Sequence, residues 1–311
     1  MPNDVPDSYW KALMHFAQQV GAEDEVNRSP ARLMNPEDQQ WLQEAMSQLI
    51  KDTDPVLRMK KELEKLSKID FYSPTEEEID RGVEALSMIE ELACDVDVAC
   101  DFFKVGGLRM LAPLIASPAA PFRTQAAAVV GQLCQNNPDA QTQILDAKML
   151  PLLLESVVND ADGEVKAKAL YGVSCLVRGN ERGSAEFRGL NGFDYLVRAV
   201  QCDPDNQRLV TKSAFLTAQL ARQEENKDAI ISAGIADHLA ALLLLLPSDH
   251  QGSEHVIDAL AEILTHPSDL TSTDQLALIN FLEERIKSTD LHEDERRPVE
   301  KLLKILNADH E

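Results

Sequence analysis

An all-α fold of stacked helical units is what this sequence predicts, and three observations carry that reading. Segments beginning Val98, Pro138, Glu181 and Glu225 share one pattern: a helix-like stretch, a short break, an apolar run, then an Ala-centred helix. The apolar runs start at Leu108, Met149, Phe193 and Ile235, in steps of 41, 44 and 42 residues. The alanines that centre the closing helices, Ala127, Ala169, Ala214 and Ala259, lie 42, 45 and 45 residues apart. Units of this length cannot bury their apolar faces alone, so neighbours must stack. Composition agrees: 44% of residues are hydrophobic but only 5% aromatic, which suits helix packed on helix. Runs of β-branched residues in strict alternation, the mark of strands, are not found. The period is that of armadillo or HEAT repeats, which build a right-handed helical solenoid with a long curved surface.

Each element in turn has a local cause. Residues 8–20 predict a short amphipathic helix with Trp10, Leu13, Met14, Ala17 and Val20 along one face. Gly21, Pro30 and Pro36 make the following polar stretch a flexible connection, so residues 1–36 form an N-terminal segment. Asn35 and Pro36 then start a helix through Trp41, Leu42, Ala45, Met46 and Leu49, since proline's missing N–H has no partner in a first turn. A second helix, Pro55 to Ile69, turns Leu57, Leu63 and Leu66 inward, and the pair caps the repeats over residues 37–72. Ser73-Pro74-Thr75-Glu76 reads as a helix start, with Glu76 to Glu78 at the positive end of the dipole. Repeats occupy residues 73–270, with breaks at Gly106-Gly107, Ser117-Pro118, Asn136-Asn137-Pro138, Asp162-Gly163, Gly179-Asn180, Asp203-Pro204, Gly234 and Pro247. Helices Asp274–Lys287 and Asp294–Leu306 predict a C-terminal cap over residues 271–311.

Charge and cysteine usage narrow the function. With 53 acidic against 30 basic residues the net charge is −23, a field that repels phosphate backbones and anionic lipid headgroups. Nucleic acid and membrane are therefore not expected partners, and the longest apolar run, Leu239 to Leu246, is too short to span a bilayer. Cys94, Cys100, Cys134, Cys175 and Cys202 are odd in number and form no Cys-x-x-Cys pair, which fits a reducing, cytoplasmic or nucleocytoplasmic setting. There is no Gly-x-Gly-x-x-Gly, P-loop, His-Glu-x-x-His or Gly-x-Ser-x-Gly, and His250, His255 and His266 do not share a helical turn. No catalytic residue, cofactor or metal is expected.

A binding surface is expected instead on the closing helices, which line the concave side of armadillo stacks. Positions two and six after each alanine anchor are read as facing that groove: Val129 and Leu133, Tyr171 and Cys175, Leu216 and Leu220, Ala261 and Thr265. Val129, Tyr171 and Leu216 head an inner stripe with Arg123, Lys168, Arg178 and Lys212 nearby. Aromatic and basic groups inside an acidic protein suit a folded, acidic partner. The Trp and Asn ladders of import-signal carriers are missing, as Trp10 and Trp41 both lie outside the repeats.

At these residues the chain also resembles a known family. The run Gln40-Trp41-Leu42-Gln43-Glu44-Ala45-Met46-Ser47 is similar to the N-terminal cap of the heat-shock-protein-70-binding proteins of animals. The same holds for Ser174-Cys175-Leu176-Val177-Arg178, Asn191-Gly192-Phe193 and Lys212-Ser213-Ala214-Phe215-Leu216. The resemblance implies a monomeric co-chaperone related to the fungal Fes-type exchange factors. Such a factor grips one lobe of the ATPase domain of a cytosolic 70-kDa chaperone, clashes with the other lobe and releases ADP. It further implies that Ala99 opens the gripping surface, that Lys212 is a basic position on an inner helix, and that residues 1–36 deter released clients from rebinding. Gln125 departs from a cation in the animal relatives. An armadillo adaptor that binds partners without changing nucleotide exchange is the alternative.

Overall fold

The computed structural model describes residues 36–246, 252–287, 291 and 293–308. The expected helix over 8–20, the connection over 21–35 and the break at Pro247 lie outside the described residues. The chain divides into two compact units, residues 1–54 and 55–311, a boundary that falls inside the 37–72 segment. The first contributes α1 (Pro36–Thr53), which begins on its proline as the missing N–H dictates. Gln40 Nε2 donates to Glu44 Oε1 at 2.9 Å, one turn along α1, and Trp41 is exposed.

The second unit opens with α2 (Pro55–Leu66), three residues shorter than expected. Its end tightens into i→i+3 bonds, Lys68 N to Lys65 O at 3.3 Å and Ile69 N to Leu66 O at 3.1 Å. Met59, Leu63 and Leu66 form its buried face, whereas Leu57, expected inside, is exposed because two residues turn it roughly 200° from Met59. α3 (Glu76–Leu92) carries a capping box: Thr75 Oγ1 accepts from Glu78 N at 3.3 Å and Thr75 N donates to Glu78 Oε2 at 2.9 Å.

Four three-helix repeats follow among the described residues. They are α4 (Val96–Lys104), α5 (Leu108–Ile115) and α6 (Ala120–Cys134), then α7 (Pro138–Asp146), α8 (Met149–Asn159) and α9 (Gly163–Val177). Next come α10 (Glu181–Gly189), α11 (Gly192–Cys202) and α12 (Gln207–Ala221), then α13 (Glu224–Ser232), α14 (Ile235–Leu245) and α15 (Ser253–Ile263). Most of the breaks read from sequence hold helix caps, Asn137 and Asn180 among them, and Asn206 caps α12 just past the Asp203-Pro204 break. Asn137, Asn180 and Asn206 accept from the backbone amides of Ala140, Gly183 and Leu209 at 3.2, 3.0 and 3.2 Å. Just before α8, α11 and α14 the chain turns through Lys148, Asn191 and Gly234, with φ of 56°, 54° and 68°.

Alanine spacing has its physical meaning in the core. Ala127, Ala169, Ala214 and Ala259 are buried, and their small side chains let successive closing helices approach, α3 on α6, α6 on α9, α9 on α12 and α12 on α15. The apolar core runs unbroken from Met59 to Leu306. Polar side chains join neighbouring repeats where helix ends leave carbonyls unpaired: Gln141 Nε2 donates to Cys134 O at 3.2 Å and to Cys175 O at 2.8 Å. The C-terminal cap is α16 (Gln275–Ile286) and α17 (Glu293–Leu306), the latter packed on α15. Arg285 Nε binds Glu295 Oε1 at 2.7 Å between them.

Candidate functional site

One side of each closing helix stays open, and register decides which residues it presents. α6, α9 and α12 are each 15 residues long and begin at Ala120, Gly163 and Gln207, so equivalent positions lie 43 and 44 residues apart. The alanine anchors, spaced 42 and 45, are out of step by one residue, and one residue is about 100° of helix. That slip turns Val129 and Leu216 inward, both fully buried, along with Leu133 and Leu220; Ala261, in register with Tyr171, is buried as well. Ala99 is 1% exposed and shares the inner face of α4 with Val98 and Phe102. These three expected partner positions belong to the core.

Arg123 is occupied elsewhere. Its Nε and Nη2 bind the two Asp160 oxygens at 2.6 and 2.8 Å, and Nη1 donates to the carbonyls of Ser117 and Pro118, both at 2.9 Å. Burial alone would raise the Asp160 pKa, but the Arg123 fork and the Asp162 amide outweigh it and hold the carboxyl below its usual range. This bidentate pair fastens the start of α6 to the end of α8.

The remaining four expected residues do come together. Lys168 and Tyr171 on α9 with Arg178 at its C-terminal cap stand in register with Lys212 and Phe215 on α12 with Arg222 at its cap, and none of the six is buried. Lys212 Nζ lies 5.3 Å from the Tyr171 ring centroid, and Arg178 Cζ lies 5.4 Å from that of Phe215. Each is a cation–π contact between adjacent repeats. The Tyr171 hydroxyl donates back to Gln135 Oε1 at 3.2 Å, and the Phe215 ring reaches forward to His255, 6.3 Å between centroids. Gln125 Nε2 donates to Glu90 Oε2 on α3. A Cβ on Gly131 would stand 2.3 Å from the Tyr171 ring, so glycine there is what lets the tyrosine rest against α6.

Electrostatically this stripe is a positive island. Burial first, then the like charges of Lys168, Arg208 and Arg178, lower the Lys212 pKa against the opposing pull of Cys175. Burial raises the Cys175 thiol and the Tyr171 hydroxyl, so neither is an activated nucleophile. Toward α15 the sign reverses, with Glu254, Asp258 and Glu262, the last 3.7 Å from Arg222. A cleft of about 450 Å³ opens there between Phe215, Arg222, His255 and Asp258.

Sequence reasoning missed Phe215, Gln135 and His255. For Phe215 the signal was present: Glu164, Lys168, Tyr171, Cys175, Arg178 and Arg208, Lys212, Phe215, Gln219, Arg222 are two copies of one 4-3-4-3 spacing. Aligning the alanines rather than the helix caps hid it. Among the described residues no three His, Cys, Asp or Glu side chains are placed to hold a metal ion. What the stripe offers is stacking, charge and an open surface, which is the chemistry of recognition.

Residues 98–238, the first three repeats and the start of the fourth, match the SIL1/FES1/HPBP1 C-terminal domain. Hsp70-binding protein 1 of Homo sapiens is 32% identical over 315 residues, covering 97% of this chain and 86% of that protein. Hsp70 nucleotide exchange factor FES1 of Mycosarcoma maydis is 34% identical over 142 residues, 46% of this chain and 36% of that protein. In fold alone, the chain is similar to a designed armadillo repeat protein, with a TM-score of 0.62, 18% identity, and coverage of 80% of this chain and 100% of that one. Identity at this level across nearly the whole length places the chain in the SIL1/FES1/HPBP1 family, built on the armadillo repeats that its period predicted.

Proposed function

We propose that this protein is a co-chaperone that promotes ADP release from a 70-kDa heat-shock chaperone of the cytosol. The carrying observation is the full-length similarity to a relative named for Hsp70 binding, reinforced by one named as an Hsp70 nucleotide exchange factor. The cation–aromatic stripe of Tyr171, Arg178, Lys212 and Phe215 supports the reading, since it offers an acidic lobe of the ATPase domain both stacking and charge. Five unpaired cysteines suit a reducing compartment.

The mechanism needs no catalytic group. The solenoid grips one lobe, its bulk conflicts with the other, and the open chaperone is bound more tightly than the closed one. Weakening ADP about a hundredfold requires roughly 2.7 kcal/mol of differential binding. A standard-size interface, about 1,600 Å² in total, supplies that difference readily.

Stopped-flow release of a fluorescent ADP analogue from the chaperone tests this directly. The expected result is a saturable acceleration with added protein. Binding without acceleration would instead make it an armadillo adaptor, and no binding would remove the chaperone as partner.

A further inference from the structure

Where the stripe ends, the groove changes sign. Lys168 and Lys212 are half-buried, stand close enough to repel one another, and have no carboxylate partner among the described residues. Like charges kept together in a chain of 53 acidic residues oppose folding, and an incoming carboxylate offsets that repulsion. One helix further on, Glu254, His255 and Asp258 of α15 join Phe215 and Arg222 of α12 and Pro298 of α17 around the cleft of about 450 Å³. Its carboxylates are unevenly paired. Glu254 Oε1 lies 3.2 Å from His255 Nδ1, and the buried Glu295 is taken by Arg285 at 2.7 Å. Asp258, half-buried, has neither an ion pair nor a hydrogen bond among the described residues.

The lining restricts what can enter. Among the described residues around the cleft only Arg222 carries a fixed positive charge, and it is turned to Glu262 at 3.7 Å and Gln219 at 3.3 Å. An anion would meet Glu254 and Asp258, and an apolar group would cover the Asp258 carboxylate without pairing it. Phe215, 37% exposed, and Pro298 give the same cleft an apolar side. A side chain that suits both is long, apolar along its stem and positive at its tip, as arginine and lysine are. Packed helices lie about 8–10 Å apart, so this cleft stands roughly one helix spacing beyond Lys212. We propose that the groove reads a two-signed stretch of its partner: carboxylates set on Lys168 and Lys212, and one arginine or lysine seated in the cleft, its stem on Phe215 and its charge on Asp258. This rests on the reading of the chaperone ATPase domain as partner and names what that surface must carry.

Calorimetry of the full chain with the purified ATPase domain tests the proposal through the sign of one effect. Asp258→Lys adds a cation beside a stripe already suited to an acidic surface. A partner that is acidic throughout would bind this variant more tightly, whereas a partner with a basic side chain in the cleft should bind it at least about tenfold more weakly. Asp258→Asn keeps the shape, removes the charge and should weaken binding about fivefold. Lys168→Glu should weaken it at least about tenfold, and all three variants should keep the wild-type circular dichroism and Tm. Reversing one basic residue of the ATPase domain to glutamate should restore affinity to Asp258→Lys but not to Lys168→Glu. Undiminished binding by Asp258→Lys or Asp258→Asn overturns the proposal and leaves the chaperone reading standing. No binding by the wild-type protein overturns both.

Discussion

Lys212 is held by burial against the Tyr171 ring and crowded by three other cations, so its charge is concentrated where a partner would meet it. Reversing it with Lys212→Glu is expected to raise the dissociation constant for the chaperone ATPase domain at least about tenfold while the helical signal stays intact. Leu216, four residues along the same helix, should behave in the opposite way. Leu216→Ala opens a hole in the core and should cost about 2–5 kcal/mol of stability, seen as a lower Tm, with affinity at low temperature retained. Equal loss of binding in both variants would mean that the stripe acts only through stability. Asp237 supplies a separate, pH-dependent test. Burial pushes its pKa up, but the Ser272 and Thr271 amides and the Thr271 and Thr273 hydroxyls outweigh burial and hold the carboxyl well below its usual range. A depressed folded pKa contributes stability that is present above the unfolded value near 3.9 and lost as pH falls through the folded one. Asp237→Asn should therefore cost about 2 kcal/mol at pH 7 and progressively less below about pH 4, measured by denaturant titration at each pH.

Among elements, the turn before α8 stands out from its counterparts. The equivalent turns before α11 and α14 use Asn191 and Gly234, residue types that accept positive φ easily, whereas the first uses Lys148 at 56°. Its side chain returns little, a 3.5 Å approach to Glu186 with the lysine itself largely in water. Lys148→Gly should raise stability by roughly 0.5–1 kcal/mol, and a fall in Tm would show that the lysine has a role beyond its backbone geometry. This turn also illustrates what was legible at this scale. Helix starts at Leu108, Met149 and Ile235 and the asparagine caps follow from local chemistry, because a cap bonds to amides two or three residues away. The direction of each helix face was less legible. It depends on which neighbour the helix packs against, and a one-residue error in aligning repeats exchanged Val129 and Leu216 in the core for surface positions.

For the whole molecule, the repeats work because stacking makes one core out of units that have none alone. A surface built this way changes its character slowly along the solenoid, from the Glu90–Gln125 contact, through the cations of α9 and α12, to the carboxylates of α15. A partner is therefore offered an orientation as well as an affinity. If exchange activity follows from coupling, the coupling is reciprocal: saturating ADP should weaken chaperone binding to this protein by the same factor by which this protein weakens ADP. Calorimetry with and without nucleotide reads that ratio, and affinities independent of ADP would rule out an equilibrium exchange mechanism.

By itself the sequence determined the all-α class, the repeat period, the caps and the acidic field, all of which depend on spacing and composition within a few tens of residues. It also carried Lys168, Tyr171, Arg178 and Lys212, whose helical spacing keeps them on one face. Only the tertiary structure decided that Arg123 is spent on Asp160, that Phe215 and His255 extend the stripe, and that a cleft opens beside Asp258. Those outcomes rest on contacts about forty residues apart in sequence, where the register of one repeat on the next chooses the neighbour.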